Sequence, residues 1–201
     1  MKILNIKLKT KTNANVFVVE TDAGEFLLHS DEIVKCGINK GEVENQTFYK
    51  AVENSQVLIA FNLSTKYLSG KLKTEKQIKD YLYKKEFNQQ TINKVVEKLK
   101  EYHIIDDKIF AETYKKNNAN FSANKLKQKL MIAGVNKETI ESELEDVDDT
   151  SSCLNHANKF LRNKVMDKPT VEKLVRRLTY LGYRWETIKS VLNQLKFEIE
   201  D

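Results

Sequence analysis

Residues 74–96 read TEKQIKDYLYKKEFNQQTINKVV, and the same pattern returns twice later in the chain. A shift of 48 residues brings this stretch onto residues 122–144, SANKLKQKLMIAGVNKETIESEL, and a second shift brings it onto residues 170–192, TVEKLVRRLTYLGYRWETIKSVL. Apolar, helix-capping and turn residues coincide together in the three stretches. We interpret the coincidence as an internal repeat, which is typical of proteins built from stacked helical units.

The shared positions predict two helices joined by a tight turn in each repeat. Five apolar positions coincide and are interpreted as core: Ile78, Leu126 and Leu174; Leu82, Leu130 and Leu178; Phe87, Val135 and Tyr183; Ile92, Ile140 and Ile188; Val96, Leu144 and Leu192. Three hydroxyl residues coincide as predicted caps of the first helix of the pair: Thr74, Ser122 and Thr170. That helix is predicted to end near Glu86, Gly134 or Gly182, since glycine suits a left-handed helix end. Asn88 and Asn136 are predicted to cap the following helix, whereas Arg184 replaces this cap in the third repeat.

A longer helix is predicted ahead of each pair, over about residues 56–71, 108–118 and 151–166. The predicted fold is therefore mainly α, with three tandem three-helix (helix-turn-helix-like) repeats in an elongated array. We expect the repeats to span residues 51–104, 105–148 and 149–201. A small N-terminal β-containing segment, residues 1–50, precedes them.

Residues 1–50 show strand rather than helix signals. Alternating apolar residues predict strands around Ile3–Leu8, Val16–Val19 and Phe26–Leu28, the last two joined by a turn at Asp22-Ala23-Gly24. Ser30 is predicted to cap a short helix that ends at Gly37. A three-stranded sheet with one helix is a small unit, so we expect it to pack on the helical part of the chain.

The composition excludes several classes of protein. The 201 residues carry a net charge of +5, which allows a polyanionic partner. The cysteines (Cys36 and Cys153) and the histidines (His29, His103 and His156) lack metal-site spacing, so no metal is predicted and a reducing compartment is expected. No stretch reaches the roughly 18 apolar residues of a membrane span, and no secretory signal is recognised, so we expect a cytoplasmic protein. Phosphate-binding glycine loops and nucleophile elbows are also missing, so neither an enzyme nor a cofactor is predicted.

Three motifs, in this order, resemble the RecX family. The first is Tyr67-Leu68-Ser69-Gly70-Lys71, followed by Thr74-Glu75 and Tyr81-Leu82. The second is Asp106-Asp107 followed by Phe110-Ala111 and Tyr114. The third is Leu126, Leu130 and Gly134-Val135. The resemblance covers about residues 56–195 and includes the family's three-repeat plan.

Resemblance to RecX implies a non-enzymatic regulator of the RecA recombinase that binds along the RecA–single-stranded DNA filament. It implies inhibition of ATP turnover, strand exchange and co-protease activity, and hence a role in homologous recombination, DNA repair and the SOS response. Single-stranded DNA would be contacted directly or within the filament, and we expect a monomer. Several modules that each make a small contact would combine through effective concentration.

Basic side chains gather at a similar place in each repeat and are the candidate contacts for the filament or for DNA. They are Lys71, Lys73, Lys76 and Lys79; Lys125, Lys127 and Lys129; and Lys173, Arg176, Arg177 and Arg184. The alternative interpretation is that they form solvated helix faces.

The aromatic residues allow two interpretations. Trp185 is a further candidate contact. Its counterparts in the first two repeats, Gln89 and Lys137, are polar, so this position is expected to face solvent, where a large ring can bind a partner. Burial under the preceding helix or the C-terminal tail is nevertheless the favoured interpretation for so large a ring. We expect the tyrosines to lie in the core or to line a groove: Tyr67, Tyr81, Tyr83 and Tyr114.

The acidic residues are interpreted as structural. Asp106 and Asp107 precede a predicted helix and are expected to cap it. The acids between Glu141 and Asp149 lack the spacing of a calcium loop, so we interpret them as a solvated face. Two other functions stay open: a helix-turn-helix protein that reads duplex DNA, and a helical protein adaptor without a nucleic-acid role.

Overall fold

The computed structural model describes residues 1–10 and 15–196. The chain divides into two compact units, Met1–Ile105 and Asp106–Asp201. In the described residues, no helix combines the length and the apolar character needed to cross a bilayer.

The first unit begins with a four-stranded antiparallel sheet. Its strands are β1 (Lys2–Leu8), β2 (Val16–Thr21), β3 (Gly24–His29) and β4 (Gly41–Glu42). Their order is β3-β2-β1-β4. The three predicted strands are confirmed. The fourth strand was missed, because a two-residue strand carries no periodicity.

A short helix, α1 (Ser30–Lys35), comes after β3. Ser30 is its first residue rather than its cap, so this prediction was wrong. His29 is the N-cap, and its Nδ1 accepts a 3.3 Å hydrogen bond from the Asp31 N–H. A buried imidazole nitrogen can thus satisfy a free N–H of the first turn as a hydroxyl would.

Helix α2 (Asn45–Leu68) belongs to two cores. Its first turns place Phe48 and Ala51 against the buried residues of the sheet. Later turns place Val57 and Ala60 in the core of the next two helices of the first unit. The helix begins well before the predicted start near residue 56, because the residues that contact the sheet continue the helix without a break.

Three sets of three helices succeed one another along the chain, and we call them modules. The first module is α2, α3 (Glu75–Tyr83) and α4 (Gln89–Glu101); the second is α5 (Asp107–Asn117), α6 (Ala123–Ala133) and α7 (Lys137–Leu144); the third is α8 (Thr150–Leu161), α9 (Lys168–Tyr180) and α10 (Trp185–Gln194). α8 ends earlier than predicted, and a loop over residues 162–167 leads to α9.

Most of the repeated positions have the predicted roles. The residues at the first, second and fourth shared apolar positions are at most 1% exposed in all three modules. The turn residues Glu86, Gly134 and Gly182 all have positive φ, at 64°, 94° and 88°. Thr74 and Ser122 cap α3 and α6 as predicted.

One predicted cap in the repeat was wrong. Thr170 is the third residue of α9, and the cap is Asp167, whose side chain accepts a 3.0 Å bond from the Thr170 N–H. The helix starts earlier because Pro169 is tolerated in the first turn, where its missing N–H would have had no helical partner.

Candidate partner-binding surface

The turn between α2 and α3 carries positive side chains beside a stacked pair of aromatic rings. The rings of Tyr67 and Tyr81 have centroids 4.2 Å apart, with 6° between their planes. The Lys73 ammonium lies 5.0 Å from the Tyr67 centroid, and the Lys85 ammonium lies 5.9 Å from the Tyr81 centroid. Because the electron-rich faces of the rings attract cations, the stacked pair holds two charges at defined places: Lys73 from the turn before α3 and Lys85 from the turn after it.

Two sets of contacts fix α3 behind this turn. The Thr74 hydroxyl accepts from the Gln77 N–H, and the Gln77 side chain accepts from the Thr74 N–H. Glu75 forms ion pairs with Lys79 on α3 and with Lys100 on α4. Partial burial acts to raise the pKa of Glu75, but hydrogen bonds and charge from the two lysines outweigh burial and hold that pKa below its ordinary value.

The second module repeats the arrangement with one ring. The Lys125 ammonium lies 4.0 Å from the centroid of Phe121, at the turn between α5 and α6. Lys127, two residues further along the chain, lies 3.7 Å from the Glu141 carboxylate. Lys129 is exposed on the same helix. The three predicted lysines of this module therefore all reach the surface of α6.

The third module gathers two cations on one ring. The Lys164 ammonium lies 3.4 Å from the centroid of Phe160, and the Arg177 guanidinium carbon lies 5.9 Å from it. Arg176 pairs with Glu172 at 3.6 Å, and Lys173 is exposed on α9 beside them.

In every module a cation lies over an aromatic ring where the first helix meets the second. We call these three places the basic junctions; their pairs are Tyr67–Lys73, Phe121–Lys125 and Phe160–Lys164. Sequence reasoning missed Phe121, Phe160, Lys164 and Lys85. An aromatic residue four positions before a lysine, at or beside the end of a helix, is the signal that would have found them.

The remaining predicted contacts are also at the surface. Lys71 and Lys76 are exposed beside the first basic junction, and Arg184 is the exposed N-cap of α10. Trp185 is the first residue of α10 and is 47% exposed. The favoured burial of Trp185 beneath the preceding helix was therefore wrong, and the tail over residues 197–201 lies outside the described residues.

The tyrosines separate into two groups. Tyr67, Tyr81 and Tyr114 are half-buried, as expected. Tyr83 is exposed, so the expectation of a core or groove position was wrong for this residue. It is the last residue of α3 and points away from Leu82, the neighbour that enters the core.

The acidic residues make structural contacts. Asp106 caps α5, and one of its carboxylate oxygens accepts from the Lys108 and Ile109 N–H groups at 2.7 and 3.1 Å. Within residues 1–10 and 15–196, no three His, Cys, Asp or Glu residues are placed to hold a metal ion.

Polar contacts join the second and third modules inside the second unit. The Ser122 hydroxyl, which caps α6, donates to the Leu181 carbonyl at 2.8 Å, and the Asn124 amide donates to the Gly182 carbonyl at 3.0 Å. A Cβ on Gly182 would lie 2.8 Å from the Ser122 Oγ. The turn between α9 and α10 therefore needs glycine both for its positive φ and for the close approach of α6.

Asp149 adds to these polar contacts, which together form the joint between the second and third modules. Its carboxylate accepts from the Ala123 N–H at 2.9 Å and from the Thr187 hydroxyl at 3.2 Å, so it links α6 to α10. Nearby, burial and then the charge of Asp149 raise the pKa of the Cys153 thiol to about 12. Because the thiolate is the reactive form, this raised pKa disfavours reaction of Cys153 at neutral pH.

Fold and surface together define a class, a mainly helical repeat protein whose modules each carry a cation over an aromatic ring. A family model described as the first three-helix domain of RecX matches residues 60–99. The regulatory protein RecX of Streptococcus thermophilus is 31% identical over 209 residues, covering 100% of this chain and 80% of the relative. That of Clostridium botulinum is 32% identical over 208 residues, covering 98% and 97%. The chain belongs to the RecX family.

Solved structures share the fold. A crystal structure of regulatory protein RecX matches with a TM-score of 0.70 at 21% identity, covering 97% of this chain and 98% of that one. RecX from Lactobacillus salivarius matches with a TM-score of 0.66 at 21% identity, covering 70% and 97%. The fold predicted from the repeat and the resemblance is confirmed.

Proposed function

We propose that this chain regulates the RecA recombinase by binding the RecA–single-stranded DNA filament and lowering its ATP turnover, strand exchange and co-protease activity. Membership of the family whose relatives carry the name regulatory protein RecX supports a regulatory role. In this proposal the chain acts by binding, as a monomer in the cytoplasm, without a cofactor and without catalysing a reaction itself.

The observation that carries the proposal is the recurrence of the basic junctions. A nucleoprotein filament offers phosphates and acidic protein groups at regular intervals, and a chain with three similar cationic sites can contact several of them at once. Holding each ammonium over a ring lowers the side-chain entropy that binding would otherwise cost. The exposed lysines and arginines around each junction add to the attraction.

Reading of duplex DNA by a helix-turn-helix is less well supported. That mode requires the last helix of a module to enter the major groove. In the second module this helix is α7, and its exposed face carries Glu138, Glu141 and Glu145. Carboxylates on this face would meet the phosphates of the groove walls and repel them.

ATP hydrolysis by RecA on single-stranded DNA tests the proposal. We expect the chain to lower the rate when it is present at fewer copies than RecA, because one chain would affect several protomers. The inhibition should weaken as salt is raised, since it depends on phosphate and carboxylate contacts. An unchanged rate and an unchanged filament length would contradict the proposal. Protection of one defined duplex site in a footprint would favour the helix-turn-helix alternative.

Charge reversal locates the contact. The triple variant Lys173→Glu, Arg176→Glu and Arg177→Glu should inhibit RecA less, with helix content by circular dichroism unchanged. A matched control reverses three exposed lysines away from the junctions: Lys9→Glu, Lys40→Glu and Lys50→Glu. Both variants change the net charge equally, so a loss confined to the first identifies the third module as a contact. Equal inhibition by the two variants would show that this module's basic face is not used.

A further inference from the structure

The second helix of each module ends with a large apolar side chain that faces solvent. On α3 it is Tyr83, which is 73% exposed; on α6 it is Met131 at 56% with Ile132 at 71%; on α9 it is Tyr180 at 90%. Under the 48-residue shift Tyr83 coincides with Met131, and Tyr180 coincides with Ile132 one residue further along, so all four lie in the last turn of the second helix. Single exposed apolar residues are common on protein surfaces, but their recurrence in this same helical turn of all three modules is not.

In each module a cation precedes one of these residues by four positions, about one helical turn. The pairs are Lys79 with Tyr83, Lys127 with Met131, and Arg176 with Tyr180. Residues four apart lie on the same face of a helix, so each helix presents an apolar group and a positive group side by side. The three cations already pair with carboxylates at the surface of this chain. Exposed ion pairs contribute little, so a partner's carboxylate can replace the internal one.

We propose that each of these helix ends docks on an acidic protein surface, and that these three places, rather than the basic junctions, make the protein–protein part of the contact. We call each of them an apolar–basic face; the three consist of Lys79 with Tyr83, Lys127 with Met131 and Ile132, and Arg176 with Tyr180. The inference rests on the proposed function and assigns the partner of these faces. The partner is a RecA protomer that offers a shallow apolar pocket edged by carboxylates.

The apolar character of the face favours protein over nucleic acid. Bases stack on aromatic rings, so Tyr83 and Tyr180 alone would suit a single strand. Met131 and Ile132 lie in the same last turn of the second helix in the second module and offer no ring. What the three modules share is an apolar group beside a cation, and an acidic protein pocket complements both parts.

The repetition of the face also fits a filament. One exposed side chain of this size makes a small contact, and its burial by a single partner would give weak binding. A partner that repeats can fill several copies of the face in turn, and the contacts then combine through effective concentration. The face therefore predicts preference for assembled protomers over the isolated recombinase.

Serine substitutions test the face. Three variants each change one module: Tyr83→Ser, the double variant Met131→Ser and Ile132→Ser, and Tyr180→Ser. A fourth variant combines all of these substitutions. Affinity is measured for filaments held together by a non-hydrolysable nucleotide, and separately for a fluorescent oligo-dT strand without RecA. We expect each module's change to weaken filament binding about tenfold and all three on the order of a hundredfold or more. Binding to oligo-dT should stay within about twofold.

Matched controls remove two equally exposed apolar residues that lie off these helices, Val34→Ser and Val165→Ser. They should leave filament affinity unchanged. Because all substituted side chains face solvent, urea unfolding should be the same for every variant to within about 1 kcal/mol, which excludes misfolding as the cause of a loss.

Two results would overturn the inference. Unchanged filament affinity in the combined variant would show that the face is not used. A loss shared equally by oligo-dT would show that the face binds nucleic acid. Failure of the wild-type chain to bind or inhibit the filament is a different result, because it would contradict the proposed function before any variant is compared.

Discussion

The two compact units contain the same kind of module, but they are stabilised in different ways. In the first unit one continuous helix, α2, belongs to the sheet core through Phe48 and to the module core through Val57. In the second unit the second and third modules meet through hydrogen bonds made by Ser122, Asn124 and Asp149. In the first unit, apolar burial along a shared helix joins the sheet to the module. In the second unit, polar contacts at a glycine turn join the two modules to each other.

The difference shows how a repeat can be attached to its surroundings without changing its own core. Apolar burial tolerates small shifts, because it depends on area rather than direction. A hydrogen-bonded joint depends on the position of each atom and fails when one group moves or is removed. We therefore expect substitutions in the first unit to act through lost volume and those in the second unit to act through lost geometry.

The largest effect is expected in the first unit. Phe48→Ala should lower the free energy of unfolding by about 3–5 kcal/mol, because it leaves a cavity between the sheet and α2. Circular dichroism in urea measures the change. The neighbouring Tyr49→Ala, at a half-exposed position, should cost less than about 1 kcal/mol. Similar losses for the two would contradict a core shared by sheet and helix.

A smaller effect is expected at the glycine turn of the second unit. Gly182→Ala should cost about 2–3 kcal/mol, since its Cβ would meet Ser122 while the backbone keeps a positive φ. The fluorescence of Trp185, the only tryptophan in the chain, reports the unfolding.

Gly70 separates the two causes of that loss. Its φ is +75°, but a Cβ there would meet nothing within 4 Å. Gly70→Ala should therefore cost only the backbone strain, about 1 kcal/mol. If both alanines cost the same, the close approach of α6 to the turn does not matter.

Removal of the Asp149 side chain should lower the free energy of unfolding by less than Gly182→Ala does. Asp149→Ala leaves the Ala123 N–H without its acceptor and should cost about 1–2 kcal/mol. Asp149→Asn keeps an acceptor oxygen and should recover part of the loss, as seen in urea unfolding followed by Trp185 fluorescence. A neutral effect of the alanine would show that this joint does not stabilise the unit.

The smallest expected effect is a gain in stability. Arg184 is the N-cap of α10 and makes no side-chain cap bond, whereas Asn88 caps the equivalent helix α4 with a 2.8 Å bond to the Thr91 N–H. Arg184→Asn should raise stability by about 0.5–1 kcal/mol, and Asn88→Ala should lower it by about 1 kcal/mol. Thermal unfolding checks both. A loss in the first variant would mean that Arg184 has a stabilising role of its own.

The sequence predicted the elements that depend on local chemistry. Repeated caps such as Thr74, positive-φ turns such as Glu86, and core positions such as Ile78 are set by neighbours in the chain, so spacing alone indicated them. The early start of α2 was missed, because Phe48 reads as a strand or helix residue until the sheet that it contacts is known.

The candidate site was predicted less completely for the same reason. The lysines of each module were found because they recur, but Phe160 and Lys164 were missed because the 48-residue shift does not bring Phe121 and Lys125 onto them. The joint between Ser122 and Leu181 connects residues far apart in sequence, and no local pattern indicates such a contact. Exposure of Trp185 likewise depends on which elements cover α10.

Hydrogen–deuterium exchange of the chain, alone and with RecA–single-stranded DNA filaments, tests the central claim most directly. If the basic junctions and the apolar–basic faces make the contact, peptides from α3, α6 and α9 and the turns that precede them should exchange more slowly in all three modules. The sheet and α1 should exchange as before. Protection confined to α4, α7 and α10, or to a single module, would contradict a binding surface repeated along the chain.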